Sequence, residues 1–411
     1  MNTLKMTIVI AWRNLWRSKV RSAVVVLAMA VGIWAGIFLS GFSLGMNEQR
    51  TDSALSTYLG YAQVHPNGWS EEPLVNLFIP NLKEVEEASK QIPDYVAHTS
   101  RLNITGMASS ARGSAGVMIS GIDPARDTLV CDLNTRLVEG EYFPPSERVS
   151  YAYVGTALAE KLKLQLGDWI TFDFQNVDGY SAGSRYYIAG MFKTVSSAYD
   201  KSTVQVLRSD LTRDIEAQEG VAHEIIYKLA DKESSREWAE KLSAEFPDLE
   251  VESWQEVSPE LGYADDMMAV SLYIFIGIIL FAITFGILNT MLMAILERKR
   301  ELGMLMAIGM NKRRTFGMIV LETLFLGTVG APVGILLGHL TIVSTASTGM
   351  DLSSVGEGLN AYGMDSIVYP VPVPDYYFGI ALMVVVMTLL ASLYPAFKAL
   401  KLNPVEAIRS V

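Results

Sequence analysis

Residues 268–296 read MAVSLYIFIGIILFAITFGILNTMLMAIL, and residues 297–314 read ERKRELGMLMAIGMNKRR. The first stretch carries no charged residue over 29 positions. As a helix it would be roughly 43 Å long, which exceeds the roughly 30 Å of a bilayer core. The second stretch holds six basic and two acidic side chains. A long uncharged block that ends at a basic loop is typical of a membrane-spanning helix.

Three further blocks have the same character. Residues 22–44 and 376–397 carry no charge, and residues 315–343 carry one, Glu322. The first block contains a possible signal-peptide cleavage site at Ala28-Met29-Ala30. The apolar run continues well beyond that site, however, whereas the apolar region of a signal peptide is only about 7–15 residues long. The sequence therefore predicts four transmembrane helices, of which the first is an uncleaved anchor.

Basic residues are unevenly divided between the two sides of these spans. Residues 1–21, 297–314 and 398–411, which four spans place on one side, hold 14 basic and 3 acidic residues. The other segments outside the spans hold 19 basic and 40 acidic residues. Because positive charge in short loops favours the cytoplasmic side, both termini are predicted to be cytoplasmic. The net charge of −11 argues against a nucleic-acid partner.

The long segment between the first two spans has the composition of a soluble domain. Its single cysteine, Cys131, excludes an intrachain disulfide, so the domain must be held by its hydrophobic core. Runs of β-branched and aromatic residues predict strands at 61–65, 117–122, 169–174, 186–192 and 203–207. Apolar residues at helical spacing predict helices at 82–91, 156–162 and 234–246.

The predicted fold is an α-helical membrane protein with a large α+β extracytoplasmic domain inserted between its first two spans. Its segments are an amphipathic helix at the membrane surface (1–21), the first span (22–44), the extracytoplasmic domain (45–267), the second span (268–296), a loop helix (297–314), the third span (315–343), an acidic outside loop (344–375), the fourth span (376–397) and a tail (398–411). Within the domain we expect a β-rich part at 118–210 and an α/β part at 45–117 and 211–267. The first segment has an alternative interpretation as a mere basic flank of the first span.

The loop at 297–314 is predicted to form a short amphipathic helix. Leu302, Leu305, Met306 and Gly309 recur at helical spacing, and charges precede and follow them. Such a helix either lies on the membrane or inserts into the groove of a partner protein. The residues by themselves leave these two alternatives open.

The same loop carries a motif that resembles the permease domain shared by the MacB, FtsX and lipoprotein-releasing Lol permeases. That family has the pattern E-R-x-x-E-[IL]-G-x-[LM]-x-A-[IL]-G, which residues 297–309 match. The tail from Tyr394-Pro395-Ala396 to Arg409 is similar to the family ending, and the Trp-Arg-Asn-Leu-Trp-Arg block at 12–17 to its opening. The resemblance extends over essentially the whole chain, including a MacB-like periplasmic core at its middle.

The resemblance implies an ABC transporter permease in the bacterial inner membrane. In the family the loop is a coupling helix seated on a separate ATPase, and the role is carried over to Glu297, Arg298, Glu301, Leu302, Gly303, Leu305, Ala307 and Gly309. The chain has no phosphate-binding G-x-x-x-x-G-K-[ST] motif, so ATP and Mg are expected on the partner and no cofactor or metal on this chain. Expected partners are an ATPase dimer, a second permease of the same or a homologous chain, a periplasmic chaperone or lipoprotein cargo, and membrane lipid.

Residues 179–183 satisfy the serine-hydrolase pattern G-x-S-x-G, but we expect no catalytic residue there. A nucleophile elbow requires a strand before it and a helix after it, whereas strand-like runs flank this stretch on both sides. Asp178-Gly179 is typical of a hairpin turn. The tip, formed by Asp178, Gly179 and Tyr180, is a candidate contact for a periplasmic partner.

Glu322 and several glycines are candidates for helix packing. An acid inside a span is by default a functional candidate; the alternative is a structural partner for a polar group on a neighbouring helix. Small residues four apart allow helices to approach closely, and such pairs occur at Gly32 and Gly36, Gly41 and Gly45, and Gly330, Gly334 and Gly338. They suggest packing in a dimer or between subunits rather than a pore.

The predicted function is mechanotransmission in an ABC transporter, with release of lipoproteins from the inner membrane as the activity that the resemblance favours. The alternatives are export of a peptide or drug from the periplasm, as in MacB, and FtsX-like signalling to a cell-wall hydrolase. A membrane-anchored serine hydrolase is a third hypothesis, which rests on the 179–183 match alone.

Overall fold

A computed structural model describes residues 3–17, 19–145, 149–308 and 310–401. The chain divides into two compact units. The membrane unit includes residues 1–46, 267–350 and 368–411, and the extracytoplasmic unit includes residues 47–266 and 351–367. Each is described by itself below.

The helices of the described residues are α1 (Thr3–Arg17), α2 (Lys19–Ala54), α3 (Leu82–Ser89), α4 (Pro124–Val130), α5 (Thr156–Leu162), α6 (Ser197–Ser202), α7 (Arg208–Asp214), α8 (Ser235–Glu245), α9 (Trp254–Val257), α10 (Pro259–Glu297), α11 (Lys299–Ala307), α12 (Lys312–Thr348), α13 (Gly356–Ala361) and α14 (Pro374–Leu400). The strands are β1 (Ala62–Pro66), β2 (Tyr95–Ser110), β3 (Gly113–Ile122), β4 (Leu137–Gly140), β5 (Tyr151–Gly155), β6 (Trp169–Gln175), β7 (Ser181–Phe192), β8 (Thr203–Leu207), β9 (Glu224–Leu229), β10 (Leu249–Ser253), β11 (Met350–Asp351) and β12 (Ile367–Val368).

Four of these helices, α2, α10, α12 and α14, are long and apolar enough to cross a membrane. Each contains one of the four predicted spans and extends beyond it at both ends. Helix α1 is a separate element before α2, as predicted for the amphipathic segment. Of the predicted tail, residues 402–411 lie outside the described residues.

Glycines bring the backbones of α2 and α12 into direct contact. A Cβ on Gly334 would lie 2.7 Å from the carbonyl oxygen of Ala30 and 2.7 Å from the Cβ of Ile33. Gly330 and Gly338 face Met29 and Ile37 of α2 in the same way. These three glycines therefore pack one helix on another within the chain, and the expectation that they serve contacts between subunits is wrong for this face.

Two glycines of α2, Gly32 and Gly36, face the other two membrane helices. Gly32 lies against Ile283 of α10, and Gly36 lies against Ile276 of α10 and Ile380 of α14. Apolar side chains fill the space between the helices; the buried ones include Ile33, Ile37, Ile276, Leu280, Ile342, Ile380 and Val384. The helix-packing role predicted for Gly32 and Gly36 is thus fulfilled between elements of this chain.

The first half of β2 belongs to an antiparallel sheet of order β10-β1-β9-β2. Helices α3 and α8 cover this sheet through Val85, Trp238 and Leu242, which pack on Val64 and Tyr227. Asp123 is the N-cap of helix α4, and its carboxylate accepts a hydrogen bond from the Ala125 N–H. A proline occupies the first position of the helix. The mixed architecture confirms the α+β class predicted for this domain.

The second half of β2 belongs to a ring of strands that closes on itself. The pairs run β2–β3, β3–β8, β8–β5, β5–β7, β7–β6 and β6–β2. Closure leaves no unpaired strand edge within the ring. Its interior is filled by apolar side chains, among them Ile104, Ile119, Val154, Ile170, Phe172, Tyr186, Ile188, Val204 and Val206.

The boundary between the two parts lies inside β2 rather than at residue 118. Residues up to Arg101 pair with β9, and residues from Leu102 pair with β3. The predicted boundary at 118 cuts through β3 because a single long strand contributes to both sheets. Helix α7 also packs on the ring: its Leu211 is buried in the core of the ring, as is Ile215 just beyond the helix. The sequence pattern had assigned residues from 211 onward to the α/β part.

A neutral histidine holds the segment before α3 in place. The Nδ1 atom of His223 accepts a hydrogen bond from the Asn103 N–H at 3.1 Å, and Nε2 donates to the Val75 carbonyl oxygen at 2.9 Å. The ring stacks between those of Trp69 and Phe78. Burial lowers the pKa of His223 to about 4, which keeps the ring neutral.

A second buried histidine, His65, is charged. Burial by itself would lower its pKa, but the carboxylates of Glu224 at 3.4 Å and Glu252 at 3.6 Å outweigh that effect and raise the pKa of His65 to about 9. The surroundings therefore lower the pKa of His223 and raise the pKa of His65.

Replacing Gly334 by valine should destabilise the membrane unit by roughly 1–3 kcal/mol, because the added side chain overpacks the contact with Ala30 and Ile33. Gly286→Val is the matched control, since a Cβ at Gly286 meets nothing within 4 Å. The measurement is the thermal unfolding midpoint of the full chain in nanodiscs. Equal midpoints for the two variants would contradict the close α2–α12 packing.

The combined contribution of His223 and His65 to the stability of the extracytoplasmic unit should be highest near pH 6.5. The contribution of His223 is present above its unfolded pKa of about 6.5 and is lost as the pH falls toward 4. The contribution of His65 is present below pH 6.5 and is lost as the pH rises through about 9. The pH profile of the free energy of unfolding therefore has an acid limb and an alkaline limb, and the loss along each is on the order of 3 kcal/mol.

Denaturant unfolding of the full chain in nanodiscs between pH 4.5 and 9 measures both limbs. His223→Gln should flatten the acid limb and leave the alkaline limb in place. An acid limb as steep in that variant as in the wild type would show that His223 does not cause it.

Candidate functional site: the loop between the second and third membrane helices

The loop after α10 forms the predicted amphipathic helix, α11. The chain bends at Arg298, which precedes the first helical residue, and α11 ends at Ala307. Helix α12 begins soon afterwards, where the Asn311 side chain accepts a hydrogen bond from the Arg313 N–H at 2.6 Å. This N-cap satisfies one of the free donors at the helix start. Short connections at both ends therefore fix α11 between two membrane helices.

One side of α11 packs inside the chain. Leu302 and Gly303 are buried, and Leu305 is partly buried in the same cluster. Their buried neighbours there are Met291, Ile295, Met318 and Ile319. The coupling role of Leu302 and Gly303 stays a prediction. Because both residues are buried within the chain, neither contacts a separate protein in this arrangement.

The other side of α11 is apolar and exposed. Met304 and Ala307 face outward, and the side chain of Ile308, just beyond the helix, is 82% exposed. Met304 and Ile308 were not predicted as surface residues, because the prediction considered only the stripe through Leu302. Their own spacing of four residues, on the side opposite Leu302, was the available signal. Gly309 lies outside the described residues.

Four alternating charges connect α11 to its neighbours. Arg17 of α1 binds both carboxylate oxygens of Glu301, at 3.0 and 2.7 Å. The Nε atom of Arg298 donates to Glu301 at 3.3 Å, and its Nη1 atom donates to Glu322 of α12 at 2.9 Å. We call Arg17, Glu301, Arg298 and Glu322 the charge chain. Glu297, the last residue of α10, is exposed beside it.

The charge chain is graded in its exposure to solvent. The side chains of Arg298 and Glu322 are 23% and 12% exposed, whereas those of Arg17 and Glu301 are 67% and 34% exposed. A partly buried pair keeps more of its electrostatic attraction than an exposed one. Glu322 thus has an ionic partner on the neighbouring loop, which supports the structural role weighed for it.

Helix α1 packs on the same region. Its residues Ala11 and Leu15 are buried in the cluster that contains Leu302, and the Trp12 ring meets the edge of Phe325 on α12 with centroids 5.5 Å apart. The rings of Trp12 and Trp16 remain largely exposed. Exposed tryptophans next to basic residues are typical of a helix at the headgroup level.

The G-x-S-x-G stretch lies in the hairpin between β6 and β7, not in the strand–turn–helix arrangement of a nucleophile elbow. Ser181 is the first residue of strand β7, and the turn before it follows another strand. The Asn176 side chain accepts hydrogen bonds from the N–H groups of Asp178 and Tyr180, and Gly179 has a positive φ of 82°. The predicted turn is confirmed, and its tip presents an exposed Tyr180.

Comparisons with known proteins agree with this geometry. Residues 22–245 match the MacB-like periplasmic core domain, and residues 273–404 match the FtsX-like permease C-terminal domain. The lipoprotein-releasing system transmembrane protein LolC of Haemophilus influenzae is 22% identical over 93% of this chain and 92% of its own length. LolE of the same organism is 20% identical over 98% of each chain. The pyoverdine export ATP-binding/permease protein PvdT of Pseudomonas syringae is 23% identical over 97% of this chain and 58% of its own length.

The two matched domains together include nearly every described element, from the first membrane helix through the ring of strands to α14. The first alone spans more than half of the 411 residues. With four membrane helices and this domain order, the chain is a multi-pass bacterial inner-membrane protein. It belongs to the MacB/FtsX/Lol superfamily of ABC transporter permeases.

Proposed function

We propose that this chain couples a separate ATPase to movement of its extracytoplasmic unit and thereby releases lipoproteins from the inner membrane. Permeases of this superfamily are typically non-catalytic, so ATP hydrolysis belongs to the partner. The support for lipoproteins is the similarity to LolC and LolE over almost the whole of each chain. The similarity to PvdT favours export of a small molecule as the second candidate.

The exposed apolar surface of α11 is the observation on which the coupling role rests. Ile308 and Met304 project from a loop that also holds Arg300 and Lys312. Exposed apolar side chains with a basic rim suit a protein groove with an acidic edge. The expected occupant is the ATPase. The membrane surface is the alternative occupant.

The proposed assembly contains two permease chains. An ATPase that dimerises around ATP presents two grooves, so a symmetric pair, or a pair with a homologous chain, would fill both. On the other side, the rigid hairpin tip with Asp178, Gly179 and the exposed Tyr180 is the proposed contact for a periplasmic chaperone or for cargo. Tyrosine is enriched at such contacts.

Both termini and α11 are proposed to be cytoplasmic. The support is the excess of basic residues in residues 1–21, 297–314 and 398–411, together with the acidic character of the remaining loops. An ATPase in the cytoplasm could reach α11 only in this orientation.

Cysteines introduced at Asp178 and Lys312 should react differently with a membrane-impermeant maleimide added to intact spheroplasts. Both positions are exposed, so only their side of the membrane distinguishes them, and Asp178→Cys alone should be labelled. Lys312 is chosen because Asn311 caps α12. Native Cys131 gives no background, because burial raises the pKa of its thiol to about 12. Labelling at both sites would contradict the orientation.

Ile308→Asp should weaken the coupling between permease and ATPase about 5- to 150-fold, since a charge placed in an apolar contact costs roughly 1–3 kcal/mol. Val355→Asp, an equally drastic change at another exposed apolar residue, is the control. The chain is purified with its ATPase into nanodiscs that contain a triacylated lipoprotein, and ATP turnover and lipoprotein release are measured.

The two readouts separate the parts of the proposal. Wild-type ATP turnover and a complete complex in Ile308→Asp would exclude the α11 surface as the ATPase contact and favour the membrane as its occupant. ATP turnover that is lost in the variant, without any lipoprotein release by the wild type, would leave the coupling role in place and favour the export activity.

A further inference from the structure

We propose that Arg298 and Glu322 form a positioning pair that fixes the coupling helix α11 to α12, so that a displacement of α11 is delivered to α12. This inference rests on the coupling role proposed for α11. It adds the residues through which the displacement would pass.

The position of Glu322 explains why the pair is strong. Glu322 lies in the third membrane helix, well after the start of α12 at Lys312, and its side chain is 12% exposed. Its surroundings are largely apolar, with Met291, Ala294, Ile319 and Leu326 beside the polar Asn14 and Ser22. A carboxylate in such surroundings is stabilised by an ionic partner. Arg298 supplies one at 2.9 Å, and this ion pair connects the residue before α11 to α12.

Arg298 is suited to hold two elements at once. Its Nη1 atom binds Glu322 on α12 while its Nε atom binds Glu301 on α11. The guanidinium is planar, so these two donors have a fixed separation and direction. The orientation of α11 relative to α12 is therefore set by the geometry of one side chain. A lysine ammonium, which is a point charge on a flexible stem, would neutralise Glu322 without fixing that orientation.

The link from α11 to α1 is weaker by the same reasoning. Arg17 and Glu301 form a well-aligned pair, but their greater exposure lets water and salt screen it, and exposed pairs contribute little. The charge chain should consequently part first between Arg17 and Glu301.

Two small cavities, of about 30 and 20 Å³, flank Arg298 and Glu322, one toward Ser22 of α2 and one toward Met318 of α12. Each is large enough for about one water molecule.

Hydrogen exchange of the α11 amides in the permease alone tests the positioning role without any ATPase. In nanodiscs, Glu322→Gln and Arg298→Met should each raise exchange of these amides about tenfold, because each removes the contact between Arg298, the residue before α11, and α12. The double variant Arg298→Met/Glu322→Leu should raise exchange no further than either single variant, because each single change already removes the same contact. Arg300→Gln, which removes an exposed charge from the same helix, is the matched control and should change nothing.

Arg298→Lys separates positioning from mere neutralisation. It should keep the complex folded and yet lose α11 protection, since the two-pronged contact is gone. Amides of β9 in the extracytoplasmic unit report whether any variant has misfolded. Salt tests whether the exposed pair between Arg17 and Glu301 is the weaker one. Raising NaCl from about 0.05 to about 0.5 M should increase amide exchange in the last turn of α1 more than in α11.

Exchange of α11 that is unchanged in Glu322→Gln, or a double variant whose increase in exchange is the product of the two single increases, would overturn the positioning pair. The same variants in nanodiscs with the co-purified ATPase then test the role proposed above. If α11 loses protection as expected while ATP turnover stays at the wild-type rate, the pair positions the helix, but coupling does not run through α11.

Discussion

Hydrocarbon cannot solvate a charge, and this constraint organises the membrane unit. The charge-free cores of the four spans leave their neighbouring ionisable groups at the helix ends, and the one acid within a predicted span, Glu322, is paired with Arg298. Arg298 makes that pair from the turn that follows α10. Helix α11 follows the turn, and its Leu302 is buried among residues of α10 and α12. The candidate site is thus joined to α12 both by an ion pair to a largely buried carboxylate and by apolar packing.

The spans were the part of the fold that the sequence predicted best. A run of roughly twenty or more apolar residues without a charge is rare outside membrane-spanning helices, and each predicted span lies inside an observed helix. The short elements with local patterns were also found: β8 and α5 have the predicted bounds. The sequence missed β2, whose residues mix polar and apolar types because its two halves serve different sheets. No local pattern reports that a strand changes partners between Arg101 and Leu102.

The loop helix shows why the candidate site was only half predictable. Periodicity identified an amphipathic helix, and it did so correctly. Periodicity does not say whether an apolar stripe faces the helix's own chain or a partner, however, and here Leu302 faces inward while Ile308 faces outward. The pairing of Glu301 with Arg17 was equally hidden, since 284 residues separate the two in sequence. Contacts of this range depend on the assembled fold and have no signature in a single sequence.

Helix α12 is the element through which the membrane unit is connected. Its Glu322 binds Arg298. Farther along the helix, its glycines contact α2 so closely that no side chain would fit between the backbones. A backbone contact of this kind is stiffer than one made through flexible side chains, because no rotamer change can absorb a shift between the helices. A displacement of α12 would therefore be passed to α2 with little loss, whereas the exposed pair between Arg17 and Glu301 would yield first. Burial and backbone proximity thus make the contacts of α12 with α2 and with Arg298 firmer than the exposed pair between Arg17 and Glu301.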